Sequence, residues 1–263
     1  MRKRLAALVL GLSLLLTACG TAVPEPERLP EGENTGPEVS YIPLDDRPVN
    51  ADRVVYLAES LGYRLTMPEE DLYRTRLDGQ DSNPNGTAYG DRAGLYAWLQ
   101  ERGAAGCDRY VLSLDQLLSG GLVNSRSFPG ADVTLRDGTV LTEEAFLAAV
   151  LDLLADGENE VYLLDTVMRL APTVGYDGWD LAGYEALRSY GMAARPTLSG
   201  DALTVENIAA AYPLGADGAP LDPADYGVTE EAVAQYLHCR ERKLRLIDEA
   251  LRLTEGRENI HFL

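Results

Sequence analysis

Apolar strand-like runs alternate with helix-like stretches along the chain, and this alternation constrains the fold more than any other feature. The runs lie at residues 39–44, 64–67, 110–114 and 161–164. Between them, apolar residues recur with the 3.6-residue period of amphipathic helices. Consecutive parallel strands need a crossover connection, usually a helix, so the alternation predicts right-handed βαβ units. We therefore predict an α/β domain with a parallel sheet, either barrel-like or doubly wound.

The helices and two departures from the alternation can be located as well. Asn50 and Thr142 are predicted to cap helices, two further helices run from about Asp91 to Arg102 and from Thr229 to about Thr254, and a helical insertion runs from Trp179 to Ala194. Residues 133–141 flank an Asp-Gly pair and predict a β-hairpin outside the main sheet. Two apolar stripes are expected to be buried: Val54, Leu57, Ala58 and Leu61 on the first helix, and Val233, Leu237, Leu244, Ile247 and Leu251 on the long last one.

The amino terminus has the pattern of a lipoprotein precursor. Three basic residues are followed by the apolar run Leu5–Leu16 and then by Leu16-Thr17-Ala18-Cys19. That run is shorter than the roughly 20 residues that a membrane-spanning helix needs. We predict a signal peptide over 1–18 and a lipidated, palmitate-bearing Cys19. Residues 19–38 are rich in Pro and Glu and predict a disordered tether, which leaves 39–263 as an extracytoplasmic, membrane-anchored domain.

Composition excludes some partners and leaves others open. A net charge of -19 argues against nucleic acid or anionic lipid as a ligand. Cys107 and Cys239 could form one disulfide or be two small buried residues, and no Cys or His spacing indicates zinc. With only His238 and His261 present, a histidine-based catalytic triad is not expected. The oligomeric state stays open.

Acidic residues follow four strand-like segments and are the strongest functional signal in the sequence. They are Asp45 and Asp46, the stretch 69–71, Asp115, and Asp165. The carboxyl ends of parallel strands form the ligand face of α/β proteins, so these carboxylates should converge on one rim. The alternative is that each one begins a turn or caps a helix, as Asp commonly does after a strand.

Polar and basic side chains accompany the predicted rim. Arg47, Asn50, Arg126 and Arg169 are the expected substrate-binding residues, because arginine keeps its charge and binds anionic or hydroxyl groups. Asp45, Asp46, Asp115 and Asp165 could act as general acid, base or nucleophile in glycoside hydrolysis, or could ligate a divalent cation. No other cofactor is expected. The basic residues Arg240, Arg242, Lys243 and Arg245 on the last helix predict a solvated face, with one or two facing the rim as the alternative.

Asp81-Ser82-Asn83-Pro84-Asn85-Gly86 resembles the first half of a calcium-binding loop. The twelfth position is Arg92, where such a loop requires a bidentate Glu. An Asx-rich turn is therefore the favoured interpretation.

Three ordered blocks resemble a bacterial family known as domain of unknown function 4127. They span residues 41–50, 113–126 and 166–169, and the resemblance covers 39–263. Gln116 and Ser119 stand where the family commonly has Met and Tyr. Family members are considerably longer, so the resemblance implies either the amino-terminal part of a longer domain, with part of the rim missing, or a compact variant. The family name implies no reaction.

Two function classes remain from the sequence. The leading hypothesis is an exported lipoprotein that hydrolyses glycans through strand-end Asp residues. Its glycan part rests on fold-level analogy. The alternative is a lipoprotein that binds a solute or another small molecule without catalysis.

Overall fold

The computed structural model describes residues 35–75, 89–176 and 178–263, and its centre is a five-stranded parallel sheet. The strands of the chain are β1 (Glu38–Ile42), β2 (Arg64–Thr66), β3 (Arg109–Ser113), β4 (Val133–Thr134), β5 (Val140–Leu141), β6 (Glu160–Leu164) and β7 (Ile260–Phe262). The sheet order is β2-β1-β3-β6-β7, with every pair parallel. The predicted parallel α/β fold is confirmed. Of the two arrangements predicted, the described sheet is open and doubly wound in strand order, not a closed barrel.

Eight α-helices connect these strands within the described residues. They are α1 (Asp52–Ser60), α2 (Glu70–Tyr73), α3 (Arg92–Ala104), α4 (Leu114–Ser119), α5 (Glu143–Leu153), α6 (Leu181–Met192), α7 (Val205–Ala211) and α8 (Glu230–Leu253). Asp91, Thr142 and Thr229 cap α3, α5 and α8 by accepting a backbone N–H bond, and the cap by Thr142 was predicted. Strands β4 and β5 form the predicted antiparallel hairpin outside the main sheet.

The main hydrophobic core joins the sheet to α3, α5 and α8. Leu99, Phe146 and Leu246, one from each of these helices, pack with Leu112 and Leu163 of the sheet in one buried cluster. Each fully buried side chain of this size contributes roughly 1.5–3 kcal/mol through the hydrophobic effect. The core therefore fixes β3 and β6 rigidly, and both strands point their carboxyl ends at the candidate site.

Helix α1 departs from its prediction in two respects. Asn50 does not cap it, because the Asn50 side chain donates to Asp45 instead and Ala51 occupies the cap position. No residue of α1 is buried, and the predicted stripe residues Leu57 and Leu61 are exposed. The helix lies beside β2, a three-residue edge strand that offers little apolar surface to cover.

The buried face of α8 also differs from the predicted one. Its buried residues are Val233, Tyr236, Cys239, Arg242, Lys243, Leu246 and Ala250. The predicted stripe residue Leu251 is half-exposed, and Leu237, Leu244 and Ile247 are only partly buried. The prediction of a solvated basic face is wrong for Arg242 and Lys243, because both reach acidic partners on the sheet side of the helix.

The segment between β6 and α8 forms the predicted helical insertion. It builds a second apolar cluster in which Leu187, Tyr190 and Tyr212 pack against Tyr236 of α8. The Arg195 side chain donates to three backbone carbonyls of this segment, at 2.5, 2.6 and 2.8 Å, and so ties α6 to the α7 end. The insertion follows β6 in the chain and packs against α8.

The remaining predictions concern the amino terminus, the calcium-loop-like stretch, the two cysteines and membrane-spanning helices. The signal peptide, Cys19, most of the tether and the calcium-loop-like stretch 81–86 lie outside the described residues. Cys107 and Cys239 are buried and form no disulfide, which was one of the two alternatives for them. Among the described helices, none is both long enough and apolar enough to cross a membrane.

Candidate functional site

The candidate site extends from the point where the direction of strand addition reverses, between β1 and β3, to the carboxyl end of β6. Strand β1 has β2 on one side and β3 on the other, so the chain leaves β1 and β3 in opposite senses. Ligands of open α/β sheets bind at such a switch point, beyond the carboxyl ends of the strands. The Leu122 N–H donates to the Leu44 carbonyl at 3.2 Å, which holds the segments after β3 and β1 side by side.

Asp115 is placed by a short helix and not by the end of a strand. Strand β3 stops at Ser113, whose hydroxyl accepts from the Gln116 N–H and so starts α4. Asp115 therefore lies in the first turn of a helix, where the exposed N–H dipoles favour a carboxylate. Gly120 ends the helix with φ 72°, a left-handed conformation that glycine adopts without strain.

Lys243 joins Asp115 to Asp165 in a buried ion-pair cluster. Its ammonium donates to Asp115 Oδ1, and it lies 3.2 Å from Asp165 Oδ1 and 3.1 Å from Thr166 Oγ1. The Thr166 N–H and hydroxyl donate to Asp115 Oδ2 at 3.2 and 2.8 Å. Because both carboxylates contact one ammonium, their nearest oxygens are at most about 6 Å apart.

The two carboxylates of this cluster differ in accessibility. The Asp115 side chain is fully buried and each of its oxygens has a partner, whereas the Asp165 side chain keeps 19% of its surface exposed. Burial raises the pKa of Asp165 to about 6, and the negative charge of Asp115 adds to the rise while Lys243 opposes it. Asp165 is therefore the carboxyl of the cluster that can meet a ligand and change protonation near neutral pH.

Asp45 and Asp46 do not join this cluster. The Asp45 carboxylate is buried and accepts from the Arg47 guanidinium at 2.7–3.1 Å and from the Asn50 side chain at 2.7 Å. Asp46 instead faces Thr75 and Arg74, at 3.4 and 3.9 Å. Burial raises the pKa of Asp46, and Asp45 adds to the rise.

Arg126 and Arg169 lie together on the side of the site that faces the insertion. Arg126 Nη1 and Arg169 Nη2 both donate to Thr173 Oγ1, at 3.1 and 3.3 Å. Arg169 also donates to the carbonyls of Ala171 and Pro172. Burial lowers the pKa of Arg126, the positive charges of Arg169 and Arg47 lower it further, and Asp115 opposes them. The predicted rim thus contains a basic side next to its acidic one.

Lys243 was missed as a site residue by the sequence interpretation. It belongs to a cluster of basic residues on a helix, which usually marks a solvated face. The only available signal was its phase, because Lys243 lies seven residues after Tyr236 and three before Leu246, both of which are buried. Neighbouring Arg242 was missed for the same reason and pairs with Glu143 through two bonds of 2.6 and 2.7 Å.

The described residues offer limited support for a metal centre. Within them, no group of three or more His, Cys, Asp or Glu side chains is arranged to hold a metal ion. Between Asp115 and Asp165, the Lys243 ammonium takes the position that a cation bridging two carboxylates would otherwise take.

The family described as Protein of unknown function (DUF4127) matches residues 39–263, which is most of the chain. The chain belongs to this family. The match includes every residue of the Asp115–Lys243–Asp165 cluster and both arginines of the basic side. No curated protein and no solved structure matches the chain. The description of the DUF4127 family names no reaction.

Proposed function

We propose that the protein is a lipid-anchored, extracytoplasmic hydrolase that acts on glycans, with Asp165 as its general acid or base. The observation that carries the proposal is the partly exposed Asp165 carboxyl, whose pKa of about 6 lies close to neutral pH. A group that transfers protons works best when its pKa is near the working pH.

The neighbours of Asp165 suit a supporting role. Asp115 is enclosed by Lys243 and Thr166 and so cannot touch a ligand, but its charge helps to raise the pKa of Asp165. Lys243 holds the Asp165 carboxyl in place from the opposite side. Glycoside hydrolysis generally needs a second carboxylate, and Asp46, which also lies after a strand end and has a raised pKa, is the candidate.

The reaction that this assignment describes is simple. The bond between the anomeric carbon and the bridging oxygen breaks, and the oxygen of a water molecule bonds to that carbon. One carboxyl of the pair Asp165 and Asp46 donates a proton to the departing oxygen, and the other accepts the proton that the water loses. The envelope location rests on the basic and apolar start of the chain and on the Leu16–Cys19 motif.

The test compares full-length wild type with Asp165→Asn in detergent micelles, using isolated cell-wall glycan and chromogenic glycosides as substrates. We expect wild type to release reducing ends with a rate that changes near pH 6, and Asp165→Asn to lower the rate roughly 100-fold or more. Asp108→Asn is the matched control, because Asp108 is exposed at the opposite end of β3. Equal rates in wild type and Asp165→Asn would refute the assignment.

A binding lipoprotein remains the second candidate, favoured by a different observation. Arg126 and Arg169 have no carboxylate partner among the described residues and are free to hold a ligand. Saturable binding of a glycan fragment by wild type, with no reducing ends released at any pH, would select this candidate over the hydrolase.

A further inference from the structure

Three arginines and two tyrosine hydroxyls gather beside the candidate site, at the junction of α8 with the insertion. Arg126 and Arg169 share the Thr173 hydroxyl, and Arg240 Nη1 lies 3.5 Å from the Arg169 carbonyl oxygen. The Arg240 guanidinium lies over the rings of Tyr212 and Tyr236, 5.5 and 5.9 Å from their centroids. We call this set, Arg126, Arg169, Arg240, Tyr212 and Tyr236, the arginine–tyrosine cluster.

The charges of the cluster are unbalanced. No ion pair joins any of its three arginines to an acidic residue in the described part of the chain, although the protein has a net charge of -19. Burial and the charge of Arg169 both lower the pKa of Arg126, which shows that the two guanidiniums destabilise each other. An anion placed between them would relieve this repulsion, and a guanidinium offers paired donors that match carboxylate and phosphate oxygens.

The tyrosine hydroxyls supply a second, independent observation. Tyr236 is 2% exposed, yet its hydroxyl proton has no acceptor among the described residues, because Arg240, whose hydrogen bond lowers the pKa of that hydroxyl, can only donate. The buried hydroxyl of Tyr212 has no partner among these residues. A buried polar group without a partner costs roughly 1–3 kcal/mol, so such groups call for an explanation. The Tyr236 hydroxyl is electrostatically coupled to Arg126, Arg169 and Arg240, so it lies among the charges of the cluster.

We propose that the arginine–tyrosine cluster binds an oxyanion, a carboxylate or phosphate group carried by the substrate. Arg126 and Arg169 hold the anion through their guanidinium N–H groups, and the Tyr236 hydroxyl donates to it. This inference rests on the proposed function, because the cluster borders the same ligand face as Asp165. It narrows the substrate class from glycans in general to acidic glycans, bearing uronic acid or phosphate groups.

Calorimetric titration of the full-length protein tests the inference, with inorganic phosphate and glucuronate as probes in a buffer free of other oxyanions. We expect wild type to bind at least one probe at a single site, and added salt to weaken the binding. Tighter binding of phosphate would assign the site to a phosphate group, and tighter binding of glucuronate would assign it to a carboxylate.

Variants of the arginine–tyrosine cluster test whether it is the site at which the probe binds. Arg126→Gln keeps a polar side chain but lacks the charge, and we expect it to weaken binding at least tenfold. Arg245→Gln removes an exposed arginine of α8 and is the control for net charge, with unchanged affinity expected. Tyr236→Phe should also weaken binding. If it merely raises the melting temperature and leaves affinity unchanged, the hydroxyl is a buried polar group outside the site.

The same titrations separate this inference from the proposed function. Asp165→Asn should abolish hydrolysis and leave the affinity for the probe unchanged. Absence of probe binding to wild type, or wild-type affinity in Arg126→Gln, would overturn the inference even if glycans are hydrolysed. Probe binding that depends on Arg126, in a protein that hydrolyses no glycan, would uphold the cluster and remove the catalytic proposal.

Discussion

Replacing Lys243 with Met tests whether the ammonium holds the buried carboxylates together. The side chain is 9% exposed and contacts Asp115, which is fully buried, and Asp165, whose side chain keeps 19% of its surface exposed. Removing one partner of a buried ion pair costs about 3–5 kcal/mol, because the other charge is left uncompensated. In a domain of this size that loss lowers the melting temperature by roughly 6–20 °C. Met fills similar space, so the loss reflects charge more than a cavity.

The pH dependence of this loss gives a sharper test than its size. In wild type the pKa of Asp165 rises from 3.8 to about 6 on folding, so the folded state binds more protons between these values. Stability therefore falls as pH rises through this window, by about 3 kcal/mol for such a shift. Without Lys243, only the Thr166 backbone N–H opposes burial and the charge of Asp115, so the pKa of Asp165 rises further. The difference in stability between wild type and variant should then grow from pH 4.5 to pH 8.

The measurement is urea denaturation of both proteins at pH 4.5, 6 and 8. Arg245→Met is the matched control, because Arg245 lies two residues further along α8 and is half-exposed. An exposed pair of this kind contributes at most about 1 kcal/mol, with little change over this range. Two results would refute the assignment of Lys243 as the charge partner of both carboxylates. In the first, Lys243→Met lowers the free energy of unfolding at pH 8 by no more than Arg245→Met does. In the second, Lys243→Met lowers it by the same amount at every pH.

Two further predictions concern the fold and the anchor. Glu143→Gln removes the charge that pairs with the buried Arg242 at 2.6 Å, and it should lower the free energy of unfolding by about 3–5 kcal/mol in urea titrations, whereas exposed Glu144→Gln should change it by less than about 0.5 kcal/mol. Cys19→Ser should abolish incorporation of labelled palmitate in cells and move the protein out of the membrane fraction, and continued labelling of that variant would contradict lipidation at this residue.

The βα order could be predicted because its signals are local. Four of the sheet strands are short apolar runs in the sequence, and the helix after Thr142 is indicated by its capping side chain and its apolar period. No local sequence signal distinguishes a barrel from an open sheet. The distinction depends on whether the outer strands pair with each other, which no stretch of sequence specifies.

The face of α8 was predicted in the wrong phase for a related reason. Apolar residues were taken to mark the buried side, but the helix buries two cations, Arg242 and Lys243, beside them. A buried cation looks like a solvated one in sequence until its partner is known, and the partner Asp115 lies 128 residues away. Such an error is expected wherever a helix packs on a charged site.

The roles of the four candidate carboxylates also depend on partners that the sequence alone does not identify. Asp45 and Asp165 both follow strands and look equivalent in the sequence, yet Asp45 is enclosed by Arg47 and Asn50 two and five residues later. The short spacing of that motif was a usable signal for a structural role. Nothing comparable marked Asp165, whose raised pKa depends on burial and on the distant charges of Asp115 and Lys243.

The position of α8 explains how these parts become one site. Lys243 and the Tyr236 hydroxyl lie on this single helix, seven residues and thus about two turns apart, so one face of α8 meets both the carboxylate cluster and the arginines. The insertion packs on the first half of α8, and the sheet core packs on its second half. Docking of α8 therefore brings the acidic and basic sides of the rim together. The ion pairs that Lys243 forms with Asp115 and Asp165 therefore also stabilise the packing of α8 that brings these residues together.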